Sequence, residues 1–253
     1  MVAESKITRI AMWSGPRNIS TAMMRAWENR ADTAVVDEPF YACFLATSGK
    51  THPMHDEVLA SQAQQWDAVI NGVLSAPLES GQRVQYQKHM THHMIADIDL
   101  AWFATLKHAF LIRHPAEVMS SYREKREAGT AVDLGYQRQR ELYDMASRLN
   151  DDDALIIDAK DVLLEPRFML GKLCDYFELP FDDNMLHWPK GLRQSDGVWA
   201  SHWYNKVAES SSFVAWKEKR ETLTDEQQSV VDECMPHYEY LHKRRLKPDL
   251  VAL

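Results

Sequence analysis

The sequence is short of the features that mark the commonest nucleotide loops. Nine glycines are spread over 253 residues, and no stretch reads GxxxxGK[ST] or GxGxxG, which excludes an ATP-type phosphate loop and a dinucleotide fingerprint. Cysteine is scarce and odd in number. Cys43, Cys174 and Cys234 have no CxxC spacing, so reduced thiols in a cytosol are the expectation. Positive charge is in deficit, with 29 Lys and Arg against 37 Asp and Glu and a net charge of −8. A nucleic-acid binder ordinarily shows the opposite balance. No apolar run approaches the roughly 20 residues that cross a bilayer. The first residues, MVAESKITRI, enter a strand-like run without the apolar core of a secretory leader. These absences predict a soluble cytoplasmic protein with neither membrane nor nucleic acid as partner.

What is present is concentrated in residues 7–27, ITRIAMWSGPRNISTAMMRAW. A β-type run from Ile7 to Trp13 breaks at Ser14-Gly15-Pro16 and restarts as a helix near Ser20-Thr21, with Ala22, Met23, Ala26 and Trp27 on its apolar side. The unpaired N–H groups at a helix start, and the positive end of its dipole, make such a corner an anion site. Arg17 adds a guanidinium fork suited to phosphate or sulfate oxygens. A second corner of the same kind lies in HAFLIRHPAEVMSSY, where an apolar strand ends at Arg113, Pro115 opens a helix, and Ser121 follows eight residues after the arginine.

Elsewhere strands are expected at 7–13, 34–37, 83–88, 109–113 and 154–158. Helices are expected at 20–30, 57–75, 97–106, 116–127, 134–149, 166–178 and 225–242, the last opened by a capping box of Thr224 and Gln227 and kinked at Pro236. Strand-helix alternation predicts an α/β protein of three layers, a central parallel sheet with helices on both faces. The length fits one domain, 1–253, with ample apolar content for a core. The segments 47–54 and 205–212 read as mobile, the latter as a lid.

Both corners resemble the sulfotransferases that use 3′-phosphoadenosine 5′-phosphosulfate (PAPS). Pro16, Arg17, Ser20 and Thr21 match the family's 5′-phosphosulfate loop, with Asn18 where Ser is usual and Ile19 where Gly is usual. Arg113, Pro115, Ser121 and Tyr122 resemble its 3′-phosphate motif. Lys190-Gly191 and Gly197-x-Trp199 resemble its late loop, which also grips the 3′-phosphate. A nearer likeness is to sulfotransferase-like proteins whose loop reads W-S-x-P-R-N-x-S-T, sometimes attached to aminotransferase domains.

The resemblance implies a P-loop NTPase-like sulfotransferase fold, with PAPS as co-substrate, 3′-phosphoadenosine 5′-phosphate (PAP) as product, and a small molecule as acceptor through a hydroxyl or amine. It places the donor on Arg17, Asn18, Ile19, Ser20, Thr21, Arg113, Ser121, Lys190 and Gly191. It offers two bases, Glu38 after the second strand and His89 after the third, with His92 as a substitute for the latter. A catalytically silent PAP or PAPS binder is the alternative, and it would need neither base. The pairs His52-x-x-His55 and His89-x-x-His92-His93 lack Cys or carboxylate at ligand spacing, so no metal is expected. Trp27, Trp188, Trp199 and Trp203 are open between ring stacking and core. A homodimer is allowed, although no clear dimer motif lies near the C-terminus.

Overall fold

The computed structural model describes residues 7–95, 98–123, 129–218 and 222–248, without the side chains of Tyr122 and Arg123. Five strands, β1 (Thr8–Ser14), β2 (Thr33–Asp37), β3 (Val84–Met90), β4 (Lys107–Ile112) and β5 (Leu155–Asp158), form one sheet in the order β2-β3-β1-β4-β5. Every pairing is parallel. The described α-helices are α1 (Ser20–Glu28), α2 (Tyr41–Ser48), α3 (His55–Ser61), α4 (Trp66–Ser75), α5 (Pro115–Arg123), α6 (Ala131–Leu134), α7 (Tyr136–Asn150), α8 (Ala159–Leu164), α9 (Pro166–Tyr176), α10 (Ala200–Trp203), α11 (Asn205–Ala208) and α12 (Asp225–Arg244).

Alternation along the strands builds two cores, because successive side chains leave opposite faces of a sheet. Ile10, Met12, Val84, Tyr86 and Leu111 pack on one face with Met23, Met24, Ala26 and Trp27 of α1 and Leu170, Leu173 and Cys174 of α9. Ala11, Trp13, Phe110 and Ile112 pack on the other with α4, α7, α12, and Val118 and Met119 of α5. This is the three-layer α/β arrangement. Because α1 and α5 follow the adjacent strands β1 and β4 yet lie on opposite faces, a crevice opens beyond the carboxyl ends of those two strands. In parallel sheets such a point is where ligands bind.

Three expected helices differ in outline. The stretch 57–75 is two helices, α3 and α4, because Gln62 turns extended (φ −132°, ψ 158°). Its side-chain oxygen accepts from the Ala42 N–H (3.1 Å), and its amide donates to the Glu38 carbonyl (3.1 Å). The stretch 134–149 is interrupted at Gly135, left-handed at φ 73°, between α6 and α7. Within 97–106 the structure forms a 3₁₀ turn over Ala101–Thr105, and residue 97 lies outside the described residues, as do 124–127 of the expected 116–127 helix. Helix α2 escaped the sequence reading: it is apolar almost all round, with Tyr41 to Leu45 buried, and carries no helical stripe. Pro236 lies inside the 20-residue α12.

Asp158, at the end of β5, ties the sheet to two helices. One carboxylate oxygen accepts from the Lys160 N–H (2.8 Å) to cap α8, and the other accepts from the Tyr238 hydroxyl (3.0 Å) of α12. Burial pushes its carboxyl up to about 6. A carboxyl raised on folding binds more protons in the native state, so its contribution to stability is complete below its unfolded value and is lost as pH rises through about 6. Asp158→Asn keeps the cap without the charge. It is expected to raise Tm at pH 8 and by less at pH 5; equal shifts at both pH values would contradict this.

Candidate active site

The loop from β1 to α1 holds its shape through three contacts. Gly15 passes so close to α6 that a Cβ there would meet the Leu134 carbonyl oxygen at 2.7 Å. The Asn18 amide donates to the Leu111 carbonyl (2.9 Å), and its oxygen accepts from the Ile19 N–H (3.0 Å). Asn18 therefore fixes the loop to β4. The left-handed residue is Arg17 (φ 54°), while Ile19 sits at φ −78° and ψ 23°. An isoleucine is at ease there, since the strained conformation that favours glycine falls on Arg17 instead. The N-cap residue of α1 makes no side-chain cap bond, and Ser20, Thr21 and Ala22 at the helix start line the crevice, where free helix-start N–H groups suit an anion.

The two corners meet. The Arg113 guanidinium donates through Nη1 to the Arg17 carbonyl (2.9 Å) and through Nε to Glu117 (2.8 Å). Arg17 Nε donates to the Ser121 hydroxyl (3.1 Å). Both arginines and Ser121 line one cleft of about 630 Å³, within the roughly 300–1,000 Å³ of small-molecule sites. The described residues lining it include five Lys or Arg, namely Arg17, Lys88, Arg113, Lys206 and Lys217, against the three carboxylates of Glu38, Glu117 and Asp133. An acidic chain thus presents a locally cationic cleft, as an anionic ligand requires.

Glu38 enters the same cleft from the end of β2, also left-handed (φ 41°). Its N–H donates to the Lys88 carbonyl (2.9 Å), which prolongs the β2–β3 ladder by one residue. The side chain of Lys88, fully buried, donates to Asp37 (2.9 Å), to Glu38, and to the Tyr204 hydroxyl (2.7 Å). Tyr204 in turn donates to Asp37 (2.7 Å) and accepts from Trp199 Nε1 (3.1 Å). Burial raises the Glu38 carboxyl above its ordinary range; Lys88 pulls it down and Asp37 pushes it further up, and the net direction is upward. Burial alone would lower the Lys88 ammonium, but Asp37 and Glu38 outweigh it and hold it above its usual value. Both groups thus hold a proton more tightly than their exposed counterparts would.

His89 does not reach the cleft. Lys88 and His89 are neighbours on β3, so the pleat sends them to opposite faces, and a one-residue offset inverts which one meets the ligand. His89 lies buried on the far face, stacked on Trp13 (ring centroids 4.3 Å apart), with Nε2 2.9 Å from the Gln87 amide oxygen. Burial first, then His108 and Lys88, lower its imidazole to about 3. His92 and His93, on the 3₁₀ turn Thr91–His93 after β3, do line the cleft.

Lys190 and Gly191 are likewise outside the cleft wall, and they sit behind it. The Gly191 N–H donates to the Ala208 carbonyl (2.8 Å), and the Trp188 N–H donates to the Ser211 carbonyl (2.9 Å). This turn backs the segment 205–212, three of whose neighbours further on, Ala215, Trp216 and Lys217, face the ligand space. The sequence reading missed Trp216, whose Nε1 donates to Glu117 (3.3 Å); an aromatic-lysine pair in a polar run was the available signal. Of the four tryptophans left open, Trp203 lines the cleft, whereas Trp27, Trp188 and Trp199 are core. Among the described residues no group of three or more His, Cys, Asp or Glu is placed to hold a metal ion, and no helix is long and apolar enough to cross a membrane.

These corners and this cleft form a locally cationic pocket beyond the carboxyl ends of β1 and β4 in a parallel α/β sheet. The sequence profile of the family described as "Sulfotransferase domain" matches residues 8–245, and the chain belongs to that family. Two Arabidopsis thaliana proteins, branched-chain-amino-acid aminotransferase-like proteins 1 and 2, are 32% and 30% identical to it over 232 residues. The match covers 92% of this chain and 41% of each relative, so the chain spans less than half of their length. Among solved structures, a sulfotransferase from Alicyclobacillus acidocaldarius superposes with a TM-score of 0.51 at 11% identity, over 94% of this chain and 97% of that one. That likeness is one of fold.

Proposed function

We propose that the protein is a PAPS-dependent sulfotransferase that moves a sulfuryl group to a hydroxyl or amine of a small-molecule acceptor. The observation that carries this reading is the joining of the Arg17 and Arg113 corners in one cleft. In it, the N-terminus of α1 and Arg17 hold the 5′-phosphosulfate, and Arg113 with Ser121 holds the 3′-phosphate. A doubly phosphorylated adenosine needs two separated cationic cradles, and an ordinary βα corner supplies one.

In the reaction the acceptor oxygen or nitrogen attacks sulfur in line, and the bond between sulfur and the 5′-phosphate oxygen breaks. That oxygen keeps the electron pair, and PAP departs. Arg17 and the α1 amides stabilise the charge that grows on it. Glu38 takes the acceptor's proton, and burial, by raising its carboxyl, makes it a stronger base than an exposed glutamate. Positioning and charge stabilisation supply the rest. Beyond neutralising Lys88, Glu38 lines the same cleft as Arg17, where a base serves turnover rather than the mere holding of PAP.

Thermal melting tests the donor assignment. PAP and PAPS should raise Tm well above ATP at equal concentration, since a ligand that binds only the native state stabilises it by RT ln(1 + [L]/Kd), about 2.7 kcal/mol at 100 times Kd. Equal shifts with ATP would remove the assignment.

A further inference from the structure

His93 lines the cleft and is not among the residues assigned above to the donor. Its ring is held by α2, stacked on Tyr41 (centroids 4.5 Å apart, 14° between planes) and on Phe44 (4.9 Å, 24°). Residue exposure is 2%, and Nδ1 is buried without a hydrogen-bond partner. A buried polar atom left unpaired is costly and calls for an explanation. The explanation lies 4.0 Å away, where Glu38 Oε2 faces it. One oxygen about 2.8 Å from each atom would bridge a separation of that width.

The ring is neutral, because burial, then His92, His52 and Lys88, lower its basicity well below the ordinary value. A neutral imidazole carries its proton on one nitrogen. With a carboxylate oxygen opposite Nδ1, the tautomer with hydrogen on Nδ1 avoids setting one lone pair against another.

We infer that His93 is an acceptor-binding residue whose Nδ1–H holds the acceptor oxygen while Glu38 Oε2 receives that oxygen's proton, so that the site selects hydroxyl over amine acceptors. This rests on the sulfuryl-transfer reading above. A hydroxyl oxygen has two lone pairs: one accepts from His93, the other forms the new bond to sulfur as the bond to the 5′-phosphate breaks, and the proton passes to Glu38. A neutral amine has a single lone pair, which sulfur needs, and leaves Nδ1–H buried and unpaired. An ammonium has none. A site built to pair with a hydroxyl therefore rejects the group that cannot pair.

The test uses the whole chain, labelled PAPS, and three matched pairs: 2-naphthol with 2-naphthylamine, benzyl alcohol with benzylamine, and cyclohexanol with cyclohexylamine. Calorimetric PAP binding is measured in parallel. The hydroxyl member of any pair turned over should be sulfated at least about tenfold faster, the factor a single lost hydrogen bond supplies. His93→Leu should lower kcat/KM for that hydroxyl by at least a similar factor, erase the preference, and leave the Kd for PAP unchanged. His93→Asn, which can return an N–H near the Nδ1 position, should restore part of both. Equal or faster labelling of amines overturns the inference. So does an unchanged hydroxyl rate in His93→Leu, or the absence of label on every hydroxyl with a chain that binds PAP. If His93→Leu does not fold, the wild-type preference and His93→Asn decide the matter. Failure of the wild-type chain to bind PAP overturns the donor reading itself, and is distinguished by the calorimetry.

Discussion

Glu38→Gln should bind PAP as tightly as the wild-type chain and lose turnover by about 10²- to 10⁴-fold, the range that a positioned general base contributes. Glutamine keeps the length and can still accept from Lys88, so the network of Lys88, Asp37 and Tyr204 retains its geometry. The proton acceptor is lost, together with one of the two negative charges facing Lys88. In the wild type, activity should rise with pH along an acid limb set by the Glu38 carboxyl, which burial holds above the ordinary carboxylate range. The apparent value belongs to the coupled group of Glu38, Asp37 and Lys88 rather than to one residue. Full activity in Glu38→Gln would remove the base assignment, and His89 could not inherit it, because the far face of β3 has no access to the cleft.

The second large effect falls on recognition. Arg113→Ala should abolish the preference for PAP over AMP, which differ only in the 3′-phosphate. The loss expected is about 3 kcal/mol, a factor of about 100 in Kd, from charge-assisted hydrogen bonds in a partly buried site. AMP binding should change far less. Arg113→Lys keeps the charge without the fork and should fall between the two. Because Arg113 also braces the Arg17 carbonyl (2.9 Å), Tm is measured for each variant to separate recognition from folding. Unchanged discrimination in a folded Arg113→Ala chain would place the 3′-phosphate elsewhere.

The parts of this site legible in the sequence are those written as short strings at a strand-to-helix corner. Arg17, Ser20 and Thr21 lie within five residues of one another, and Arg113 and Ser121 within nine, so local chemistry announces them. The sheet and its two buried faces were legible for the same reason, since apolar strands alternate with helical patterns. What sequence could not show depends on tertiary partners. Lys88 meets Asp37 across 51 residues and Tyr204 across 116, and nothing local marks those pairings. The choice between Lys88 and His89 turns on the phase of β3, a single-residue matter fixed by its pairing with β1 and β2. Lys190-Gly191 matched a motif but not its place, because that turn supports the cleft wall through backbone bonds to 208 and 211. The break at Gln62 is likewise made by distant acceptor and donor groups on α2 and Glu38.

If one cleft grips a single nucleotide at both phosphorylated ends, a crystal structure of the chain with PAP will show both contacts at once. The 5′-phosphate is expected against the amides of Ser20 and Thr21 and the Arg17 guanidinium, with the 3′-phosphate on Arg113 and Ser121. A nucleotide bound in the reverse sense, or outside the space between those two arginines, would contradict it.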